Sequence, residues 1–291
     1  MPVNKAHPST SVFKDNIFDG QVVFITGGRS GIGYTVVETL MRHGADAVIV
    51  GRDAKGLAES AEKLSKSTGK RAVAAAADVR KVDQIRAAVD KAIETFGRID
   101  FVVCGAAGNF LAPISGLSEN AFRTVIEIDT LGTYNTVKAT LPHVRKTQGA
   151  YLHISATLHY RGVPYQAHVG AAKAAVDALS QVIAVEEGPR GVRSNVVAPG
   201  PIANTEGTLR LVPKGAEEEL IPRIVPLARF GETIDIGNAA VYLFSPAASY
   251  VSGSILVVDG GEMHIRGTAL PYPESVLDPH SLKDLVVGSK L

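Results

Sequence analysis

The residues best suited to chemistry in this chain begin at a glycine cluster. Thr26-Gly27-Gly28-Arg29-Ser30-Gly31-Ile32-Gly33 follows the β-branched run VVFIT (22–26) and opens a helical stretch. Glycines at this spacing permit a tight turn and let backbone N–H groups approach a pyrophosphate at a helix N-terminus, which is the chemistry of a dinucleotide site. The choice between the two nicotinamide dinucleotides turns on the end of the second strand, about twenty residues on, where an acidic side chain would accept hydrogen bonds from a ribose 2′-hydroxyl. Here Gly51 holds that position and Arg52 follows it. A carboxylate would repel a 2′-phosphate, whereas Arg52, helped by Arg29, can pair with one bidentately, so NADPH is the expected cofactor. The competing reading makes both arginines plain solvated surface residues, and Asp53, directly after Arg52, pulls in that direction. Asp78-Val79 closes the third strand, where Asp78 would accept from an adenine amino group or cap the helix that begins near Val82.

Seven short apolar runs supply the frame that must position these groups: VVFIT (22–26), AVIV (47–50), RAVAAAA (71–77), IDFVVC (99–104), AYLHIS (150–155), VRSNVVA (192–198) and SILVVD (254–259). Runs of this kind separated by helical stretches predict a single α/β domain. It is a Rossmann-type, doubly wound, parallel seven-stranded sheet with helices on both faces. After Lys81 the helical period is plain, with Ile85, Val89, Ile93 and Phe96 on one face and Arg86, Asp90 and Lys91 turned away. Long helices are expected over 118–145 and 163–187. The domain is expected to run over 18–262, between an N-terminal arm (1–17) and a C-terminal tail (263–291) in which Pro271, Pro273 and Pro279 discourage regular structure. The longest irregular stretch, about 199–231, follows the sixth strand. Ligands of a doubly wound sheet sit outside the carboxyl ends of its strands, so this stretch is expected to be a substrate lid.

The 291 residues are 45% hydrophobic and 20% charged, with 30 Lys+Arg against 29 Asp+Glu. That balance argues against nucleic acid, whose phosphates demand a basic surface. A single cysteine excludes a disulfide framework and a thiolate zinc site, and the carboxylates and histidines show no metal-ligand spacing, so no metal is expected. The start, MPVNKAHPSTSVFKDN, lacks the apolar core of a signal peptide, and no apolar run is long enough to span a membrane, so neither secretion nor membrane insertion is expected. The last three residues, Ser289, Lys290 and Leu291, match the address read by the peroxisomal import receptor and predict a place in the peroxisomal matrix.

Over about residues 18–262 the chain resembles the short-chain dehydrogenase/reductase family. The motifs that carry the resemblance are Thr26 to Gly33, Asp78-Val79, the CGAAG segment from Cys104 to Gly108, Lys173, Pro199-Gly200 and Asp259-Gly260-Gly261. The resemblance implies that the cofactor is bound by Gly27, Gly28, Arg29, Ser30, Gly31, Ile32, Gly33, Arg52, Asp78, Val79, Ala106 and Lys173. It also implies that Pro199 to Thr205, with Gly200, Ile202 and Thr205, wraps the nicotinamide end.

The departures from the family pattern say more. The usual catalytic pair is Tyr-x-x-x-Lys with a serine on the preceding strand. Four residues before Lys173 stands Val169, the serine position on the strand ending HISAT is Ala156, and Asp129 in IDTLG replaces the usual asparagine. A ketone reductase needs an acidic hydroxyl to protonate its alkoxide, and this chain has lost it. A conjugated thioester is different: hydride addition gives a delocalised enolate that is protonated on carbon, and a positioned water can supply the proton. The segments AAGNFLAP (106–113), IDTLGT (128–133), ATLHYRG (156–162), HVGAAKAAVDAL (168–179) and APGPIANTEG (198–207) are similar to the peroxisomal 2,4-dienoyl-CoA reductases, where an aspartate and a lysine at these positions hold that water. The match implies NADPH-dependent reduction of 2,4-dienoyl-CoA to 3-enoyl-CoA in the β-oxidation of unsaturated fatty acids, with Asp129 and Lys173 catalytic. It further implies Asn109, Phe110 and Leu111 beside the acyl thioester, Arg52, Arg80 and Arg210 toward the acidic CoA moiety, and a homodimer or homotetramer.

Other readings stay open on the sequence. Tyr160 or Tyr165 could act as the acid of a ketone or enoyl-CoA reductase, or the domain could be a catalytically inactive nucleotide-binding scaffold. His153 reads as structural, and His168, one residue before Val169, reads as packing or as a substrate contact. Cys104 reads as inert core.

Overall fold

The computed structural model of the chain describes residues 8–205, 217–265 and 272–278. Seven strands, β1 (Val22–Thr26), β2 (Asp46–Gly51), β3 (Ala72–Ala76), β4 (Phe101–Cys104), β5 (Ala150–Ile154), β6 (Arg193–Pro199) and β7 (Ile255–Val258), form one sheet in the order β3-β2-β1-β4-β5-β6-β7. Every neighbouring pair is parallel. The doubly wound Rossmann sheet expected from the seven apolar runs is therefore present. Its strand order reverses between β1 and β4, the place where such sheets open a crevice for ligands.

Alternation along the strands decides which helices each face receives. Val23 and Ile25 of β1 point to one side, where they join Val36, Val37 and Leu40 of α1 (Gly31–Arg42), Leu57 and Leu64 of α2 (Ala54–Thr68) and Ile236 and Phe244 of α8 (Thr233–Phe244). Phe24 points to the other, with Ile85, Ala88, Val89 and Ala92 of α3 (Val82–Phe96) and Val137 and Val144 of α5 (Gly132–Thr147). In α3, Arg86, Asp90 and Lys91 are exposed, as the helical period requires. Among the described residues no helix is long and apolar enough to cross a membrane.

Several local expectations change. The helix expected over 163–187 is α6 (Ala167–Glu187) and starts four residues later. Pro164 biases Val163 away from helix, and Tyr165 has a φ of 66° that a right-handed helix cannot accommodate. The helix expected over 118–145 is capped by Ser118, whose Oγ accepts from Ala121 N at 3.2 Å, and runs as α4 (Glu119–Ile126), a π-helical turn (Glu127–Leu131) and α5. The stretch 199–231 is not wholly irregular: Ile202 bridges Gly231, and α7 (Glu217–Ile224) lies between them. In the tail, Pro273 precedes the short helix α9 (Glu274–Leu277), since proline is tolerated at a helix start. The described part of the arm packs on the domain, with Phe13 and Ile17 on the core and Ser9 Oγ 2.9 Å from His43 Nε2.

Candidate active site

The turn from β1 into α1 has the shape a pyrophosphate requires. Gly27 has a φ of 76°, and a Cβ there would stand 2.6 Å from the Gly105 carbonyl oxygen. A Cβ on Gly33 would overlap the Gly27 carbonyl, whereas above Gly31 (φ 57°) there is open space. Ser30 is the N-cap of α1 but its side chain makes no capping bond. The first-turn N–H groups of α1 thus keep their positive end toward that space, a fit for a dinucleotide's phosphates. Thr26 Oγ1 ties the end of β1 to the end of β4, accepting from Gly105 N at 3.3 Å and Ala106 N at 3.4 Å.

Around the ends of β2 and β3 the charges sort themselves. Asp53 caps α2, its Oδ1 accepting from Gly56 N at 3.1 Å, and lies 3.8 Å from Arg29, so its carboxylate is turned toward its own helix. Arg52, just past β2, is exposed. Asp78 does not cap α3, whose N-cap is Lys81. Its carboxylate is gripped instead by Arg80, through Nε at 3.0 Å and one terminal nitrogen at 2.6 Å. The Arg80 hydrogen bonds, with help from the Arg52 charge, hold the Asp78 carboxyl below its ordinary range. Arg80, paired with Asp78, keeps 33% of its side chain exposed. Val79 lies against Gly132, and its carbonyl accepts from Asn135 Nδ2 at 2.9 Å. Arg210 lies outside the described residues, as do Ser289, Lys290 and Leu291.

Deeper in, the π turn carries Asp129 to a fully buried position. Such single turns recur at functional sites because the extra residue re-aims a side chain. Asp129 Oδ2 accepts from Gly108 N at 2.8 Å, and Lys173 Nζ, on α6, stands 2.9 Å from Oδ1 while donating to the Ile154 carbonyl at 3.0 Å. The close approach of ammonium and carboxylate is an ion pair without hydrogen-bond alignment, so Oδ1 makes no hydrogen bond. Val169 is buried among Val125, Ala172, Phe110 and Leu158, and so fills with alkyl groups the position from which a phenol would reach substrate. Asn109, Phe110 and the half-exposed Leu111 follow β4, and Phe110 packs against the cluster that holds Val169. Pro199 ends β6, and Gly200 fits against Asp259, where a Cβ would meet the Asp259 Cβ at 2.5 Å. Ile202 is buried, and Thr205 Oγ1 donates to its carbonyl at 3.0 Å.

The tyrosines take other duties. Tyr160 OH donates to Asp177 Oδ2 at 2.7 Å, and burial together with that carboxylate raises its phenol pKa. The same Asp177 oxygen lies 2.6 Å from His159 Nε2. This pairing was not foreseen; its one signal is that Asp177 lies a helical turn after Lys173 on α6. Tyr165 is 54% exposed. His153 Nε2 is 3.1 Å from Ser194 Oγ inside the sheet, and burial drives its pKa down to about 3. Burial pushes the Cys104 thiol up to about 12, which keeps it inert. Among the described residues no group of three or more His, Cys, Asp or Glu could hold a metal ion.

A family model described as enoyl-(acyl carrier protein) reductase matches residues 27–263. The peroxisomal 2,4-dienoyl-CoA reductase [(3E)-enoyl-CoA-producing] of Saccharomyces cerevisiae is 49% identical over 271 residues, covering 91% of this chain and 92% of its own. The enzyme of the same description from Danio rerio is 49% identical over 253 residues, covering 87% and 84%. The crystal structure of carveol dehydrogenase from Mycobacterium avium in complex with NAD superposes with a TM-score of 0.80 at 28% identity, covering 86% of this chain and 100% of its own. On its fold, its glycine turn and these relatives, the chain belongs to the short-chain dehydrogenase/reductase family of oxidoreductases and stands within it beside the peroxisomal 2,4-dienoyl-CoA reductases.

Proposed function

We propose that this chain reduces 2,4-dienoyl-CoA to 3-enoyl-CoA with NADPH. The observation that carries this reading is the buried Asp129–Lys173 pair, standing where Val169 and Ala156 have replaced the family's hydroxyl acids. The dinucleotide supplies the hydride when bound. The chain's own residues do the rest. Gly27 to Gly33 and the N-terminus of α1 take the phosphates, Arg52 with Arg29 takes the 2′-phosphate, and Pro199 to Thr205 closes over the nicotinamide end.

Hydride arriving at the far end of the conjugated diene leaves a dienolate whose charge is shared among the thioester oxygen, the α-carbon and the γ-carbon. Protonation at the α-carbon yields the 3-enoyl product. Asp129 Oδ1, with no hydrogen bond of its own, and Lys173 Nζ are the two groups that hold and orient the proton-delivering water, and the ammonium also opposes the growing negative charge. The acid-tyrosine alternative finds less support, because Tyr160 is committed to Asp177. A place in the peroxisomal matrix is supported by the names of the relatives and by Ser289-Lys290-Leu291, the proposed ligand of the import receptor. A homodimer or homotetramer is supported by the exposed Val182 and Val185 on α6.

The test mixes purified protein with NADPH and a 2,4-dienoyl-CoA and follows loss of both chromophores. Turnover with dienoyl-CoA and not with a 3-ketoacyl-CoA is expected. The reverse preference would overturn the reading.

A further inference from the structure

Asp177 is buried on α6, one helical turn after Lys173, and both of its hydrogen-bond partners come from the loop that leads from β5 into that helix. His159 Nε2 donates to Asp177 Oδ2 at 2.6 Å, and Tyr160 OH donates to the same oxygen at 2.7 Å. The two rings lie against each other, with centroids 4.1 Å apart and planes inclined by 53°. A carboxylate taken out of water is costly unless donors meet it, so Asp177 and the two loop residues fix one another.

Two further contacts pin the rest of the loop. Arg161 pairs with Glu262, and its Nη1 donates to the carbonyls of Glu262 and Ile265, each at 3.3 Å. The Tyr165 carbonyl accepts from Ala112 N at 3.1 Å, which joins the loop to the segment that carries Asn109, Phe110 and Leu111. Beside these anchors lies a cavity of about 400 Å³, lined by alkyl groups of Ala112, Ile114, Leu158, Val163 and Pro164, with His159 on its wall. Leu158 packs, with Phe110, on the cluster that holds Val169, so the cavity adjoins the position from which the family's phenol is missing. Such a lining suits hydrocarbon. Resting on the dienoyl-CoA reading above, we propose that Asp177 is a positioning residue: through His159 and Tyr160 it sets the loop over 158–166 and so shapes the cavity that takes the hydrocarbon end of the acyl chain. The Asp129–Lys173 pair has its own anchors, at Gly108 and Ile154, and does not depend on this one.

The test compares Asp177→Ala with Asp177→Asn, which keeps one acceptor oxygen, on 2,4-hexadienoyl-CoA and 2,4-decadienoyl-CoA. For Asp177→Ala, KM for the longer substrate should rise about 10-fold, nearly the loss of two buried methylenes at about fourfold each. KM for the shorter one, which has little chain beyond the diene, should stay within about twofold of wild type. The kcat and the NADPH affinity should keep their wild-type values, and Asp177→Asn should recover most of the loss. Hydrogen exchange reads the loop directly: amides over 158–166 should exchange about 10-fold faster in Asp177→Ala, with those of β5 and β6 unchanged. Equal rises in KM at both chain lengths, a fall in kcat with KM unchanged, or wild-type exchange over 158–166 overturns the proposal. If Asp177→Ala does not fold, the same measurements are made on Tyr160→Phe, which removes one of the two bonds; a rise in KM confined to the longer substrate together with faster loop exchange supports the assignment, and the absence of either overturns it. Failure of the wild-type protein to reduce either dienoyl-CoA counts against the reaction itself, while the exchange rates still decide whether Asp177 holds the loop.

Discussion

Lys173 Nζ lies 2.9 Å from Asp129 Oδ1, yet the hydrogen bonds of the two groups run elsewhere, from Lys173 to the Ile154 carbonyl and from Gly108 N–H to Asp129 Oδ2. The pair is thus held from outside, by backbone just past β4 and at the end of β5. Both side chains are buried, so these backbone contacts fix how the ammonium and the carboxylate face each other.

Asp129→Asn retains an acceptor for Gly108 N–H and removes the charge that faces Lys173. Its kcat should fall by about 10²–10³-fold, the scale of losing one electrostatic contact to the transition state, while NADPH binding persists. Lys173→Ala should lower kcat at least as far and also weaken NADPH binding. Steady-state kinetics per folded protein decide the matter, and a wild-type kcat in Asp129→Asn would remove the carboxylate from the mechanism.

Tyr160→Phe deletes a bond to a buried carboxylate and should lower stability by about 1–2 kcal/mol in urea denaturation, with kcat nearly intact. Tyr165→Phe should change neither, since the residue is 54% exposed. A tenfold or greater drop in kcat for either variant would move the proton donor to that phenol.

Arg52→Ala should raise KM for NADPH by about 10–100-fold and leave KM for NADH where it was, because only NADPH carries the 2′-phosphate that a guanidinium can chelate. Parallel changes for both cofactors would refute the 2′-phosphate role of Arg52.

Burial first, and the Lys173 charge second, lower the His153 pKa to about 3, whereas the unfolded chain binds a proton there near pH 6.5. Between those values the unfolded state holds more protons, so stability is fully present above the unfolded pKa and is lost as pH falls below it. The His153 share of that loss is about 1.4 kcal/mol per pH unit. His43, which burial also lowers, adds in the same direction. Urea midpoints at pH 7, 6 and 5 should therefore fall less steeply for His153→Asn than for wild type; identical slopes would show that His153 does not titrate on unfolding.

The amino-acid order by itself determined the sheet, because seven apolar runs parted by amphipathic helices can bury their residues on both faces only as a doubly wound parallel layer. The glycine turn was legible for a related reason, since the backbone there excludes Cβ atoms locally. The absence of a phenol four residues before Lys173 was equally plain from position alone. What only the tertiary structure decided are relations between groups far apart in the chain. Arg80 grips Asp78, Asp177 gathers His159 and Tyr160, a π turn aims Asp129 at Lys173, and His168 packs its ring on Phe110. Periodicity specifies which face of an element is buried. It does not specify the angles and the fraction of an ångström that settle which polar atoms on those faces meet, and those are set only when helices and strands pack together.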